Sequence, residues 1–73
     1  MLIIEHTGTP KHTEAAHNIA AFAEDEFGIT SQQIIGSEKG PITLYNEELS
    51  KVAEFDHEPD DTELYFYLSE MEE

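Results

Sequence analysis

The chain has no cysteine, no tryptophan and no arginine, and its lysines are only Lys11, Lys39 and Lys51. Without cysteine there is neither a disulfide framework nor a thiolate metal site. The redox compartment stays open, although small secreted domains commonly rely on disulfides. The scarcity of cations comes close to excluding direct binding of DNA, RNA or an anionic membrane surface, because three lysines stand against 17 Asp and Glu. Long hydrophobic runs are missing as well. Leu2-Ile3-Ile4 is far too short for a signal-peptide core or a membrane span, and no basic segment precedes it. A soluble, cytoplasmic protein is expected.

What is present argues for a folded domain. Acidic, weakly hydrophobic chains often remain disordered, but here 38% of the residues are apolar or aromatic and they fall in periodic clusters with only three prolines. The 73 residues make a single domain, 1–73. A chain of this size buries only about 60% of its surface on folding, so its stability is marginal. The formal charge of −14 opposes compaction further.

Thr9–Gly28 is the clearest helix. Thr9 suits an N-cap, Pro10 the first helical position, and Gly28 a left-handed closing residue. Ala15, Ala16, Ile19, Phe22, Ala23 and Phe27 recur at the spacing of one buried face. Met1–Thr7 reads as a strand, with Gly8 turning into the helix. Gln32–Ser37 and Pro41–Tyr45 read as two strands joined by Glu38-Lys39-Gly40, Pro41 favouring an edge position. Asn46–Phe55 has two readings. Asn46 as N-cap with Leu49, Val52 and Ala53 on one face gives a short second helix over 47–55, although Phe55 falls off that face. Lys51–Asp56 as a strand hairpinned to the last one is the competitor; the helix is preferred. Thr62–Leu68, centred on Leu64-Tyr65-Phe66-Tyr67-Leu68, has the strongest strand composition. Ser69–Glu73 is an acidic tail expected to fray. The resulting class is α+β: a mainly antiparallel sheet of about four strands under one long helix, in a compressed split βαβ order.

No constellation points to catalysis, a metal or a cofactor. His12 and His17 are five residues apart, about 140° around a helix, so they share no ligand face. His6 and His57 lie in no metal-binding motif, and exposed surface histidines are the expectation for all of them. The serines lack a glycine-framed nucleophile elbow, and Gly8-Thr9-Pro10-Lys11 lacks the glycine spacing of a phosphate loop. The chain is expected not to be an enzyme. Core packing accounts for Phe22, Phe27, Phe55 and Phe66, while one or two of the tyrosines suit a protein interface. The aromatics lack the interleaved lysine or arginine of a nucleic-acid stacking surface.

The acidic pattern is the functional signal. Glu24, Asp25 and Glu26 crowd the last turn of the helix, at the negative end of its dipole, where each exposed charge costs roughly 0.3–1 kcal/mol. A local rule broken without compensation marks a functional candidate. Glu54, Asp56, Glu58 and Asp60 alternate, with Asp61 following; in an extended chain this sets carboxylates along one side about 6.6 Å apart, comparable with the phosphate spacing of a duplex strand, about 3.4 Å along its axis and longer along its path. Glu70, Glu72 and Glu73 make a third cluster. A solvated surface usually explains any one such cluster; the whole-chain imbalance shifts the weight. The expected partner-binding residues are therefore Glu54, Asp56, Glu58, Asp60, Asp61, Glu24, Asp25 and Glu26.

In size, charge and lack of catalytic residues the chain resembles small phage-encoded inhibitors that mimic DNA, of the anti-CRISPR and anti-restriction class. The resemblance covers gross character along the whole chain and no alignable motif. It implies an inhibitor in the host cytoplasm that occupies the basic groove of a nucleic-acid-binding complex. Two alternatives remain open: an acidic adaptor or regulatory protein docking on a basic protein surface, and a halophile-adapted domain of unrelated function. Homodimerisation is also open.

Overall fold

A computed structural model describes residues 1–36 and 40–71. The elements run β1 (Leu2–His6), α1 (Pro10–Phe27), β2 (Ser31–Ile35), β3 (Ile42–Tyr45), β4 (Lys51–Phe55) and α2 (Asp61–Leu68). The class is α+β. The sheet order is β2-β1-β3-β4, with β1 parallel to β2 and antiparallel to β3, and β3 antiparallel to β4. The sheet is therefore mixed, not mainly antiparallel. Parallel pairing follows from α1, which carries the chain back across the sheet between β1 and β2.

α1 forms as its termini dictate. The Thr9 hydroxyl accepts the His12 amide at 3.3 Å, and Pro10 occupies the first turn. Gly28 closes the helix at φ 65°, a left-handed conformation that glycine adopts without a Cβ penalty. The Gly28 and Ile29 amides then reach back to the carbonyls of Glu24 and Ala23 at 2.9 and 3.1 Å. Ala15, Ala16, Ile19 and Ala23 are buried, with Phe22 and Phe27 packed at the margin, as the periodicity predicts. They meet Leu2 and Ile4 of β1, Ile42 and Leu44 of β3, Ala53 and Phe55 of β4, and Leu64 and Leu68 of α2 in one core.

Three expectations are corrected. β2 and β3 do not form a hairpin, because β1 inserts between them; Ser37, Glu38 and Lys39, expected as strand end and loop, lie outside the described residues. The stretch expected as a helix over 47–55 is instead a turn followed by β4. Asn46 does not cap a helix: its side-chain oxygen accepts the Glu48 and Ser50 amides at 2.9 and 3.0 Å, and Leu49 takes φ 63°. That turn returns the chain antiparallel to β3, where alternation, not helical spacing, puts Ala53 and Phe55 inside. Finally, Thr62–Leu68 lies in the helix α2, not in a strand. Asp60 caps it, accepting the Glu63 amide at 2.8 Å. Asp61 and Glu63 in its first turn favour the positive end of the dipole, and Leu64 and Leu68, four apart, both reach the core. β-propensity measures fit to a half-buried pleated surface and is readily overridden; here the Asp60 cap and the four-residue spacing of Leu64 and Leu68 prevail.

Ser69 and Glu70 form turns after α2, held by the Ser69 amide on the Tyr65 carbonyl at 3.0 Å. Glu72 and Glu73, of the tail expected to fray, lie outside the described residues. No helix of the described residues is long and apolar enough to cross a membrane.

Candidate partner-binding surface

One of the four histidines departs from the expected surface position. His6 is buried, 2% exposed, at the end of β1. Its Nδ1 accepts the Gly8 amide at 3.0 Å, which places the ring proton on Nε2, facing the Gln33 side-chain oxygen at 3.1 Å. Both nitrogens are satisfied, so His6 is a structural residue that ties the β1–α1 turn to β2. His12 is half-buried, its Nδ1 3.0 Å from the Thr7 hydroxyl; His17 is exposed. Among the described residues no group of three or more His, Asp or Glu is placed to hold a metal ion.

Glu24, Asp25 and Glu26 project from the last turn of α1, all exposed and with no basic residue in that turn. The other acidic segment is not the extended edge that its alternation predicts. β4 ends at Phe55, the chain bends through Asp56 and His57, and each carboxylate acquires its own environment. Glu54 pairs with Lys51 at 2.7 Å. Asp56 contacts His57 Nδ1 at 2.9 Å, while His57 Nε2 reaches Glu63 at 3.2 Å. Glu58 accepts the Asn18 side-chain amide of α1 at 3.1 Å. Pro59 is buried beneath them, Asp60 caps α2, and Asp61 opens it. Glu54, Asp56, Glu58, Asp60 and Asp61 all remain exposed, and Glu63 is half-buried. The hydrogen bonds that His57 donates to Asp56 and Glu63 raise its pKa, and the bond from His57 lowers that of Asp56. The Glu54 hydrogen bond likewise raises that of Lys51.

The structure joins the two acidic segments in a way their sequence separation hides. Glu26 of α1 and Asp61 of α2 border the same open groove of about 720 Å³, floored by Phe22, Tyr65 and Phe66. A neighbouring depression of about 660 Å³ passes Asn18, Glu58 and Pro59 and shares Asp61 and Thr62 with the first, so Asp61 stands on the ridge between them. Tyr65 is 57% and Phe66 62% exposed. Phe66, expected in the core, is therefore a surface residue. The missed signal was the helical spacing of Leu64 and Leu68, which turns Tyr65 and Phe66 outward.

No family model, curated protein or solved structure matches the chain.

Proposed function

We propose that this protein acts by occupation, without catalysis: it binds the basic, nucleic-acid-binding surface of a partner protein and competes with nucleic acid there, in the manner of the acidic anti-CRISPR and anti-restriction inhibitors that it resembles in size and charge. The observation that supports this reading is the unbalanced charge. Every carboxylate of the two acidic segments is exposed, and Lys51–Glu54 is the only lysine–carboxylate ion pair among the described residues. Lysines and arginines arranged to meet phosphates would meet these carboxylates instead, with electrostatically steered, fast association.

The partner-binding residues in this reading are Glu24, Asp25, Glu26, Glu54, Asp56, Glu58, Asp60 and Asp61, presented on a folded body and not on one extended strand. A second reading, an acidic adaptor on a basic protein surface unrelated to nucleic acid, is favoured by the exposed rings of Tyr65 and Phe66, which have no counterpart on the outside of a duplex. Affinity capture from a host lysate on the immobilised protein separates the two. Captured proteins released by a duplex oligonucleotide support competition with nucleic acid. Captured proteins that hold the oligonucleotide and this protein together support the adaptor.

A further inference from the structure

Two large exposed aromatic rings at consecutive positions of an eight-residue helix are more than α2 needs for its own anchorage, which Leu64 and Leu68 supply from within the core. Tyr65 leans on Phe27, ring centroids 5.2 Å apart, and Phe27 in turn meets Phe22 edge-on at 6.2 Å. The rings thus form a continuous apolar seam from α1 to α2. Phe66, more exposed still, packs its ring on Tyr67 at 5.1 Å and lines the same groove as Phe22 and Tyr65, with the carboxylates of Glu26 and Asp61 at its border.

We propose that this α1–α2 groove receives a short cationic amphipathic segment of a partner protein. An aliphatic or aromatic side chain sits among Phe22, Tyr65 and Phe66, and flanking Lys or Arg side chains meet Glu26 and Asp61. The inference rests on the reading of the partner as a basic protein, and adds where its apolar anchor goes.

Charge selects the occupant. A second copy would set −14 against −14, and nucleic acid would be repelled outright. A neutral apolar segment would strip water from Glu26 and Asp61 without supplying a countercharge. Only a segment both apolar and cationic satisfies floor and rim together. The groove is open and shallow, unlike the enclosed clefts that bury small molecules, and suits an amphipathic helix laid along it.

Two synthetic helical peptides of equal length and lysine content test this on the full chain. One carries leucines at i, i+3, i+4 and i+7; in the other, serines replace them. In a 15N NMR titration the leucine peptide is expected to shift Phe22, Tyr65 and Phe66, and to bind about tenfold more tightly than the serine peptide. Phe66→Ser should weaken it about tenfold, with the resonances of the core residues unchanged; Tyr65→Ser provides the same test if Phe66→Ser disturbs the fold. Glu26→Gln with Asp61→Asn should reduce the salt sensitivity of binding.

Equal binding of both peptides, with shifts spread over all acidic segments, overturns the groove proposal while leaving the basic-partner reading intact. Binding of neither peptide also overturns it, and the lysate capture then judges the basic-partner reading separately. Sedimentation as a dimer that Phe66→Ser dissolves would place a second copy in the groove and overturn it too.

Discussion

The imidazole of His57 bridges to Glu63: its Nε2 lies 3.2 Å from the Glu63 carboxylate, across the bend that connects β4 to α2. Its Nδ1 holds Asp56 at 2.9 Å, so a single protonated ring donates to a carboxylate on each side and clasps the loop to the helix. Because folding raises the pKa of His57, its stabilising contribution is complete below the unfolded value of about 6.5. It is lost as pH rises through the raised folded value. Urea midpoints should therefore fall from pH 6 towards pH 8.5, and His57→Gln should flatten that slope. An unchanged slope in His57→Gln would mean that the clasp does not stabilise the fold.

Asp60 separates structural from electrostatic roles. As the cap of α2 it accepts the Glu63 amide, so Asp60→Ala should cost about 1 kcal/mol in urea denaturation, whereas Asp60→Asn keeps the cap and should cost close to nothing. A partner that discriminates wild type from Asp60→Asn would then be sensing charge alone.

Leu49 sits at φ 63° and is 64% exposed. A leucine in the left-handed region is strained by about 1 kcal/mol and here returns little packing. Leu49→Gly should raise stability by about 0.5 kcal/mol once the extra freedom of the unfolded chain is subtracted. The measurement is the midpoint of chemical denaturation, and a lower midpoint would mean that Leu49 packs more than its exposure indicates.

At the end of α1, Glu24→Gln, Asp25→Asn and Glu26→Gln together should stabilise the isolated protein by roughly 1 kcal/mol, since three exposed charges leave the wrong end of the helix dipole. Moderate salt should raise the melting temperature of the wild type, and raise it less in the triple variant. The same triple change should weaken the partner complex. If it leaves binding intact, the cluster is only a solvated face.

What was legible in the sequence was what neighbouring residues decide among themselves. Thr9, Pro10 and Gly28 delimit α1 by local hydrogen bonding and backbone preference, and its alanine-rich face follows from periodicity. The alternation of Ile42 and Leu44 similarly marks β3. The last third failed where two local signals compete. Tyr65, Phe66 and Tyr67 favour a strand by composition, while Asp60 and Glu63 at capping distance and Leu64 and Leu68 at helical spacing favour a helix. The capped N-terminus and the burial of Leu64 and Leu68 in the core decide for the helix. The insertion of β1 between β2 and β3 depends on long-range pairing and left no local trace. His6 was misplaced because its burial depends on a backbone amide two residues on and a glutamine on another strand. The carboxylates of the two acidic segments are exposed, but the groove shared by Glu26 and Asp61 leaves no trace in the sequence, since only the packing of α1 against α2 forms it.

The central position of β1 also bears on the order of assembly. β3 and β4 are joined by a tight turn and pair locally, whereas Ile3 of β1 must find Tyr45 of β3 across most of the chain. Local pairs form in microseconds and distant ones wait for loop closure, so the topology predicts a hairpin-first route in which β1 closes the sheet last. Until it does, β2 and β3 both present unpaired backbone, the arrangement that ordinarily invites chains to zip together. Here each half-closed chain carries the same large negative charge as its neighbour, and repulsion holds them apart while the last strand docks. Refolding yield should therefore be insensitive to protein concentration at low ionic strength and should decline as salt is added, the reverse of the effect of salt on the folded state.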